Sequence, residues 1–281
     1  VGDTYVFTDN GIKQIKDFCP QDSLGDFEIE KYKVMGNGGL KTGNLFHNNG
    51  KVKTYKITTK LSQLEASFNH KLWVCKNGKY NWHPMEELSV GDWVNVQYGM
   101  NIWGNNDDIS DFKYSKQNIN GNVVDFTDKI DTDLCYFMGL YLSEGSSQKR
   151  YKKDKSVYYS GINITCGDDI SHIFESIGLR YYTNDNLHYN ISSSSVVKLL
   201  QHLGFDLSKK AHEKEIPRRL LEMSKENIIA VLQGIFDGDG FSRKDRGTIG
   251  ISLSSEILIK QIRIILLNLG IRSMYQLYSK E

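Results

Sequence analysis

The sequence predicts a multi-domain molecule in which an all-β N-terminal part precedes an α+β part. The chain has 281 residues, more than one compact core usually holds, so two domains are the default expectation. Short segments that alternate between apolar and polar residues fill the N-terminal part. In the C-terminal part, a pattern of helix, strand and helix occurs twice.

The N-terminal part extends from residue 1 to residue 98. Its alternating segments include TYVFTD, KTYKITTK and HKLWVCKN, with turn residues between them. Such runs are typical of short strands in an all-β unit. Residues 99–130 are rich in Asn, Asp and Gly and lack apolar periodicity, so they are predicted to be a linker. The second domain is then expected at residues 131–281.

The second domain contains the internal repeat. Its predicted elements are a helix, a strand region and a helix at residues 134–143, 156–167 and 168–177, and again at 228–237, 248–255 and 256–269. A glycine follows the last helix of each copy, Gly178 in one and Gly270 in the other. The repeat predicts two half-domains related by a pseudo-twofold axis, with the second half incomplete at residue 281.

The first helix of each copy ends in a small residue and an acid. Small residues recur four positions apart and therefore share one helix face: Gly139 and Ser143 in the first copy, Gly234 and Gly238 in the second. Small side chains let two helix backbones approach closely. Symmetric packing through these faces would bring Glu144 and Asp239 out at the same end of the interface.

Two carboxylates held that close repel each other, and a divalent cation resolves the conflict. Mg²⁺, or Mn²⁺ in its place, prefers carboxylate oxygen and keeps water molecules for chemistry. Metal-bound water is a nucleophile suited to phosphoryl displacement. We therefore predict that Glu144 and Asp239 are catalytic metal ligands. For either copy alone, the competing interpretation is a buried helix that ends in a solvated acidic turn.

These segments resemble a known family. LQGIFDGDG is similar to the LAGLIDADG signature of homing endonucleases, and FMGLYLSEG resembles a divergent first copy with Glu in place of the metal-binding Asp. The resemblance implies a metal-dependent endonuclease that cuts both strands of a long, specific DNA site. AHEKEIPRRLL resembles the K-x-I-P element of intein-borne endonucleases, which makes Lys214 a candidate for stabilising charge or assisting the attacking water. A solvated helix lysine is an equally good interpretation of Lys214.

Two basic clusters, QKRYKKDK and RKDR, follow the two motifs. The net charge of the chain is only +1, which argues against unspecific coating of nucleic acid. The clusters supply the predicted phosphate contacts of bound double-stranded DNA, with a solvated loop as the alternative. These candidate residues are Arg150, Lys152, Lys153, Arg243, Lys244 and Arg246.

The N-terminal part resembles a Hint domain, the self-splicing module of inteins. The resemblance is carried by GDTYVFTDNGIKQIKDF, LEASFNHKLWV and WHPMEELSVGDWVNV, which occur in the order of the family's blocks. It implies that His70 is the general acid that protonates the departing amide, with Ser67 as its helper. Host protein segments, the exteins, are then partners in the parent precursor, and a complementary C-terminal intein fragment is a possible further partner.

The sequence departs from the intein pattern at both ends. Val1 stands directly before Gly2, whereas the family has a nucleophile a few residues earlier, and a final His-Asn pair is absent. The chain as given is therefore expected not to splice alone. It lacks a secretory signal and a long apolar run, so we expect an intracellular, soluble protein without membrane partners. The alternatives are a LAGLIDADG-type DNA-binding protein without cleavage and a degenerate intein that only splices.

Overall fold

A computed structural model describes residues 1–19, 24–36, 38–114, 124 and 126–276. The chain forms two compact units. The first contains residues 1–103 together with residues 263–281, and the second contains residues 104–262.

The first unit consists mainly of antiparallel strands. Its strands are β1 (Tyr5–Thr8), β2 (Gly11–Gln14), β3 (Gly25–Gly36), β4 (Gly39–Asn48), β5 (Thr54–Thr58), β6 (Gln63–Ser67), β7 (Lys71–Lys76), β8 (Lys79–Pro84) and β9 (Trp93–Val94). They pair in the orders β2-β1-β3-β4, β5-β6 and β8-β7-β9. The N-terminal part is rich in strands, and the unit also contains the end of α6. Its assignment as an all-β Hint-type domain stays a prediction.

Sequence-local chemistry explains the turn between β7 and β8. Asn77 and Gly78 connect β7 to β8, and both have positive φ, 51° and 74°. Asn-Gly is the preferred pair for such a two-residue hairpin turn, because these residues adopt left-handed backbone at low cost. The register that follows places Trp73 opposite Trp82.

The second unit contains helices and two small sheets. Its elements are α1 (Thr132–Glu144), β10 (Gly145–Tyr151), β11 (Val157–Thr165), α2 (Ser171–Ser176), β12 (His188–Ile191), α3 (Ser194–His202), α4 (Arg218–Leu221), α5 (Lys225–Asp239), β13 (Gly240–Arg243), β14 (Thr248–Ile251) and α6 (Glu256–Asn268). β10, β11 and β12 form one antiparallel sheet, and β13 and β14 form a hairpin. α6 begins in this unit, and its residues from Arg263 onward belong to the first unit.

The repeated order of elements is present as predicted. Each motif helix, α1 or α5, is followed by a hairpin and then by a helix that ends at a glycine with left-handed backbone. The φ angles are 67° at Gly178 and 87° at Gly270. The N–H of the next residue bonds back to the helix in both copies, from Leu179 to Phe174 O and from Ile271 to Leu266 O. This pairing is the usual glycine cap of a helix C-terminus.

The predicted linker is divided between the two units. Residues 99–103 belong to the first unit, where buried Asn268 bonds both the N–H and the C=O of Ile102, at 3.1 and 2.6 Å. This contact also explains why the end of α6 groups with the N-terminal strands rather than with residues 131–262.

The later part of the predicted linker packs within the second unit. The N–H of Asn106 donates to Glu222 O at 3.1 Å, and Asp107 Oδ1 accepts from the Ser224 N–H at 3.0 Å. Residues of the predicted linker therefore find backbone partners far along the chain, through the N–H of Asn106 and the side chain of Asp107. Residues 115–123 and 125 of the predicted linker lie outside the described residues.

Candidate active site

The two motif helices pack directly on each other through their small residues. A Cβ added to Gly139 would collide with Val231 O and lie 3.0 Å from the Cα of Gly234. A Cβ added to Gly234 would collide with Tyr136 O. Tyr136 and Val231 hold equivalent positions in the two copies, three residues before the glycine. The contacts are thus reciprocal, as a twofold relation between α1 and α5 requires.

The second small pair lies at the end of the same interface. A Cβ on Gly238 would collide with Ser143 Oγ and lie 3.0 Å from Glu144 Cγ. The acidic residue of α1 therefore stands beside the last turn of α5, which ends with Asp239. The glycines fix this arrangement because any side chain at these positions would push the helices apart.

At the C-terminal ends of α1 and α5, the surroundings disfavour the charged forms of Glu144 and Asp239. Burial, followed by repulsion from Asp239, raises the pKa of Glu144, while Lys214 opposes the rise. Burial raises the pKa of Asp239, and Lys214 again opposes. Both acids also lie at helix C-termini, where the helix dipole disfavours negative charge. A cation placed between them would relieve these costs.

Lys214 is a cation close enough to both acids to affect their pKa values, and it is 8% exposed. Its Nζ donates to the carbonyl oxygens of Tyr141 at 2.7 Å, Leu142 at 3.2 Å and Gly145 at 2.6 Å. Burial lowers its pKa to about 8, against the attraction of Asp239 and Glu144. The interpretation of Lys214 as a solvated lysine is wrong, since the structure buries it.

The residues at this site fit an Mg²⁺-type ion, which keeps bound water, better than an ion that is coordinated entirely by protein side chains. Among the described residues, no group of three or more His, Cys, Asp or Glu side chains is arranged to hold a metal ion. Glu144 and Asp239 supply two hard oxygen donors. Mg²⁺ is commonly bound by one or two carboxylates together with water and substrate phosphates. Such a pair would therefore leave the other coordination positions of the ion to water and, when DNA is bound, to phosphate oxygens.

The six basic candidates are exposed and lie on or next to two hairpins. Arg150 is in β10, and Lys152 and Lys153 lie between β10 and β11. Arg243 ends β13 and stacks over the Phe241 ring at 5.4 Å, and Lys244 and Arg246 follow it before β14. The hairpins follow α1 and α5 without a gap, so each basic cluster is tied to one motif helix.

The predicted splicing residues lie in the first unit. Ser67 ends β6, and its hydroxyl donates to Asn69 Oδ1 at 2.8 Å. His70 precedes β7, and its N–H donates to Ser67 O at 3.0 Å. Partial burial, followed by the positive charge of the N-terminus, lowers the pKa of His70. The amino group of Val1 in turn donates to Glu65 O at 3.3 Å, so the chain start lies beside these residues.

Sequence reasoning missed the residues that hold the Lys214 segment. Ser255 donates to Lys214 O at 2.6 Å, and Gln261 bonds both the N–H and the C=O of Ile216, at 2.7 and 2.9 Å. One signal could have found Gln261. It is a polar residue within the apolar stripe of a helix, which predicts a buried hydrogen bond.

A contact across the helix interface was also missed. Tyr136 of α1 donates its hydroxyl proton to Asp237 Oδ2 of α5 at 2.8 Å. Burial and this bond raise the pKa of Tyr136. No sequence pattern pairs these two residues, because they are far apart along the chain.

Comparison with known proteins supports the C-terminal assignment. Residues 226–278 match the LAGLIDADG-like domain. This range contains most of α5, the β13–β14 hairpin and α6. The chain therefore contains a LAGLIDADG-like domain in its C-terminal part, which supports a DNA-binding or DNA-cleaving protein of the homing-endonuclease type. No described helix is long and apolar enough to cross a membrane.

The chain is similar to segments of three curated proteins. It is 23% identical over 278 residues to an iron-sulfur cluster assembly SufBD family protein of Mycobacterium leprae, covering 93% of this chain and 30% of that protein. It is 28% identical over 197 residues to DNA-directed RNA polymerase subunit Rpo1C of Methanocaldococcus jannaschii, covering 68% of this chain and 21% of that protein. It is 22% identical over 349 residues to the isomerizing glutamine–fructose-6-phosphate aminotransferase of the same organism, covering 97% of this chain and 31% of that protein. The chain thus spans less than a third of each relative.

Proposed function

We propose that the second unit is a site-specific DNA endonuclease that uses Mg²⁺ or Mn²⁺ to cut both strands of a duplex. The observation that carries the proposal is the position of Glu144 beside the last turn of α5, which ends at Asp239, with the pKa of both acids raised. Helix ends that concentrate negative charge are costly unless a cation is bound there. The LAGLIDADG-like match covers one of the two helices.

In this proposal the carboxylates of Glu144 and Asp239 would hold the metal ion. The ion would supply Lewis-acid chemistry, making water a better nucleophile and stabilising charge on phosphate oxygens. Lys214 offsets part of the negative charge of the pair, as its effect on both pKa values indicates. The basic clusters beyond α1 and α5 bind the phosphate backbone and set the position of the duplex.

Cleavage selection from a randomised duplex library, with sequencing of the cut ends, tests the nuclease. The full chain is expected to cut a single long site with Mg²⁺ or Mn²⁺ and to stop when EDTA is added. Glu144→Gln and Asp239→Asn should each abolish cutting while duplex binding is kept. Glu175→Gln, which changes an exposed acid of α2, is the matched control. Binding without cutting by the unaltered chain would favour a DNA-binding protein that lacks cleavage.

We further propose that the chain is part of an intein and that the first unit takes part in splicing. One observation favours this second function. The three relatives have unrelated names, and this chain covers less than a third of the length of each. A segment shared by otherwise unrelated proteins is what an inserted element produces.

The splicing proposal is tested on the parent gene, expressed with its sequences on both sides of this chain. We expect mass spectrometry to detect the joined host segments, or exteins, and the free insert. His70→Ala should accumulate the unprocessed precursor, and Ser67→Ala should slow processing. His83→Ala is the control, because His83 faces Glu87 instead. Processing that requires a second added chain would identify a complementary C-terminal fragment as the partner, and no processing would contradict splicing.

A further inference from the structure

Lys214 uses all of its protons on backbone carbonyls. A lysine ammonium group has three N–H donors and no acceptor. The three carbonyl oxygens of Tyr141, Leu142 and Gly145 lie within hydrogen-bond distance of Nζ. No proton is therefore left to donate to a phosphate or to an attacking water while these bonds persist.

The three carbonyls lie on both sides of Glu144 in sequence. Tyr141 and Leu142 belong to the last turn of α1, where helix carbonyl groups begin to run out of partners within the helix. Tyr141 O also accepts from the N–H of Gly145, which is the first residue of β10. A cation at a helix C-terminus also interacts favourably with the helix dipole. Lys214 thus binds the backbone both before and after Glu144.

The backbone of Lys214 is itself held from the other side. Ser255, 1% exposed, donates to Lys214 O and accepts from the Leu258 N–H at 3.2 Å at the start of α6. Gln261, 3% exposed, forms two hydrogen bonds with Ile216. Buried side-chain bonds to backbone are costly to break, because the freed groups stay buried.

We infer that Lys214 is a positioning residue that holds Glu144 at the end of α1, and that Gln261 and Ser255 are positioning residues that hold Lys214. The reaction served by this arrangement is the proposed endonuclease reaction, so the inference rests on that proposal. Glu144 and Asp239 remain the residues that touch the metal and the DNA. The arrangement connects α1 of the first copy to α6 of the second.

Amide hydrogen exchange of the full chain, followed by mass spectrometry, tests the arrangement without DNA. Lys214→Met keeps the alkyl chain and removes the donors. It should raise exchange at residues 142–146 by about tenfold or more, because charge-assisted hydrogen bonds are lost. Gln261→Met should raise exchange at residues 214–216 and, to a smaller extent, at 142–146.

Two variants serve as controls. Lys198→Met changes an exposed lysine of α3 and should leave exchange at residues 142–146 unchanged. Asn227→Leu removes another buried amide-to-backbone bond, from Asn227 Nδ2 to Ile130 O, near the opposite end of α5. It should raise exchange near its own contact only. If Lys214→Met does not fold, the exchange measured on Gln261→Met tests the inference instead. Unchanged exchange at residues 142–146 in the variants that fold overturns the inference.

Cleavage kinetics separate this inference from the proposed function. Gln261→Met should lower kcat by about tenfold or more with an unchanged duplex Kd, since misplacing a catalytic group slows chemistry rather than binding. Raised exchange with unaltered kcat would overturn the positioning role. If the unaltered chain cuts no duplex with any metal, the proposed endonuclease fails, and the exchange experiment alone decides whether Lys214 holds the end of α1.

Discussion

Gly139 lies against Gly234 where α1 and α5 touch, so closely that a Cβ on Gly139 would lie 3.0 Å from the Cα of Gly234. The contact is backbone on backbone, because neither residue has a side chain to separate the helices. One turn further along, Ser143 faces Gly238. This second small pair brings Glu144 close to the end of α5.

Gly139→Ala and Gly234→Ala should each destabilise the chain. The new methyl group would meet a carbonyl oxygen that cannot move without shifting a helix, and overpacking of this kind typically costs about 1–3 kcal/mol. Denaturant unfolding measures the change in free energy of unfolding. Gly167→Ala is the control, because no atom lies within 4 Å of its added Cβ. Equal stability of all three variants would contradict the close helix contact.

Glu144→Gln should abolish cleavage without lowering the thermal stability of the metal-free chain. The raised pKa of Glu144 means that its charged form is disfavoured in the folded state. As pH rises from the pKa of Glu144 in the unfolded chain to its higher pKa in the folded chain, the free energy of unfolding decreases. This loss of stability remains at neutral pH. Removing the charge is expected to leave the unfolding temperature the same or higher.

Added Mg²⁺ should make the unaltered chain more stable than the Glu144→Gln variant. A ligand that binds only the folded state raises the unfolding temperature. We expect added Mg²⁺ to stabilise the unaltered chain and to have little effect on Glu144→Gln, as followed by differential scanning calorimetry. An equal shift in both proteins would mean that the ion binds elsewhere.

Asp111 should stabilise the second unit in a pH-dependent manner. Its hydrogen bond to Arg219, followed by that to His202, lowers its pKa from 3.8 to about 2. A lowered carboxyl pKa gives stability that is present above the unfolded value and is lost as pH falls toward the folded value. The difference in free energy of unfolding between the unaltered chain and Asp111→Asn should be constant at neutral pH and shrink between pH 3.8 and about 2. A difference that stays the same down to about pH 2 would contradict this role of Asp111.

Arg243→Gln and Lys152→Gln should weaken binding to all duplexes by a similar factor. Each lost phosphate contact should reduce the slope of log K against log salt concentration by about one. Fluorescence anisotropy at several salt concentrations measures this slope. Lys198→Gln, on the surface of α3, should leave it unchanged, and a change in sequence preference by Arg243→Gln would instead indicate base contact.

Much of the fold could be predicted from local patterns. Helical spacing located α1, α5 and α6, and the glycines after α2 and α6 marked their ends within a few residues. These features depend on neighbours along the chain, so one sequence contains enough information. α2 is shorter than its predicted range, Ser171–Ser176 instead of residues 168–177, because Asp169 forms a turn by accepting from the Ser171 N–H.

The candidate site could be predicted only in part. The small residues and the two acids lie in sequence motifs, which is why local spacing is enough to select Glu144 and Asp239. Burial of Lys214 could not be predicted, because its partners Tyr141 and Gly145 are 73 and 69 residues away. The role of Gln261 depends on Ile216, which lies 45 residues earlier.

The sequence by itself determined the β-rich and repeated parts, the helix ends and the acids placed there, since each follows from spacing within a few turns. Only the tertiary structure decided that residues 104–114 pack with residues 219–224, that the end of α6 joins the N-terminal strands, and that Lys214 is bound by the end of α1. These three results depend on hydrogen bonds between residues far apart in sequence. Such bonds are fixed by how the elements pack, and local spacing does not encode them.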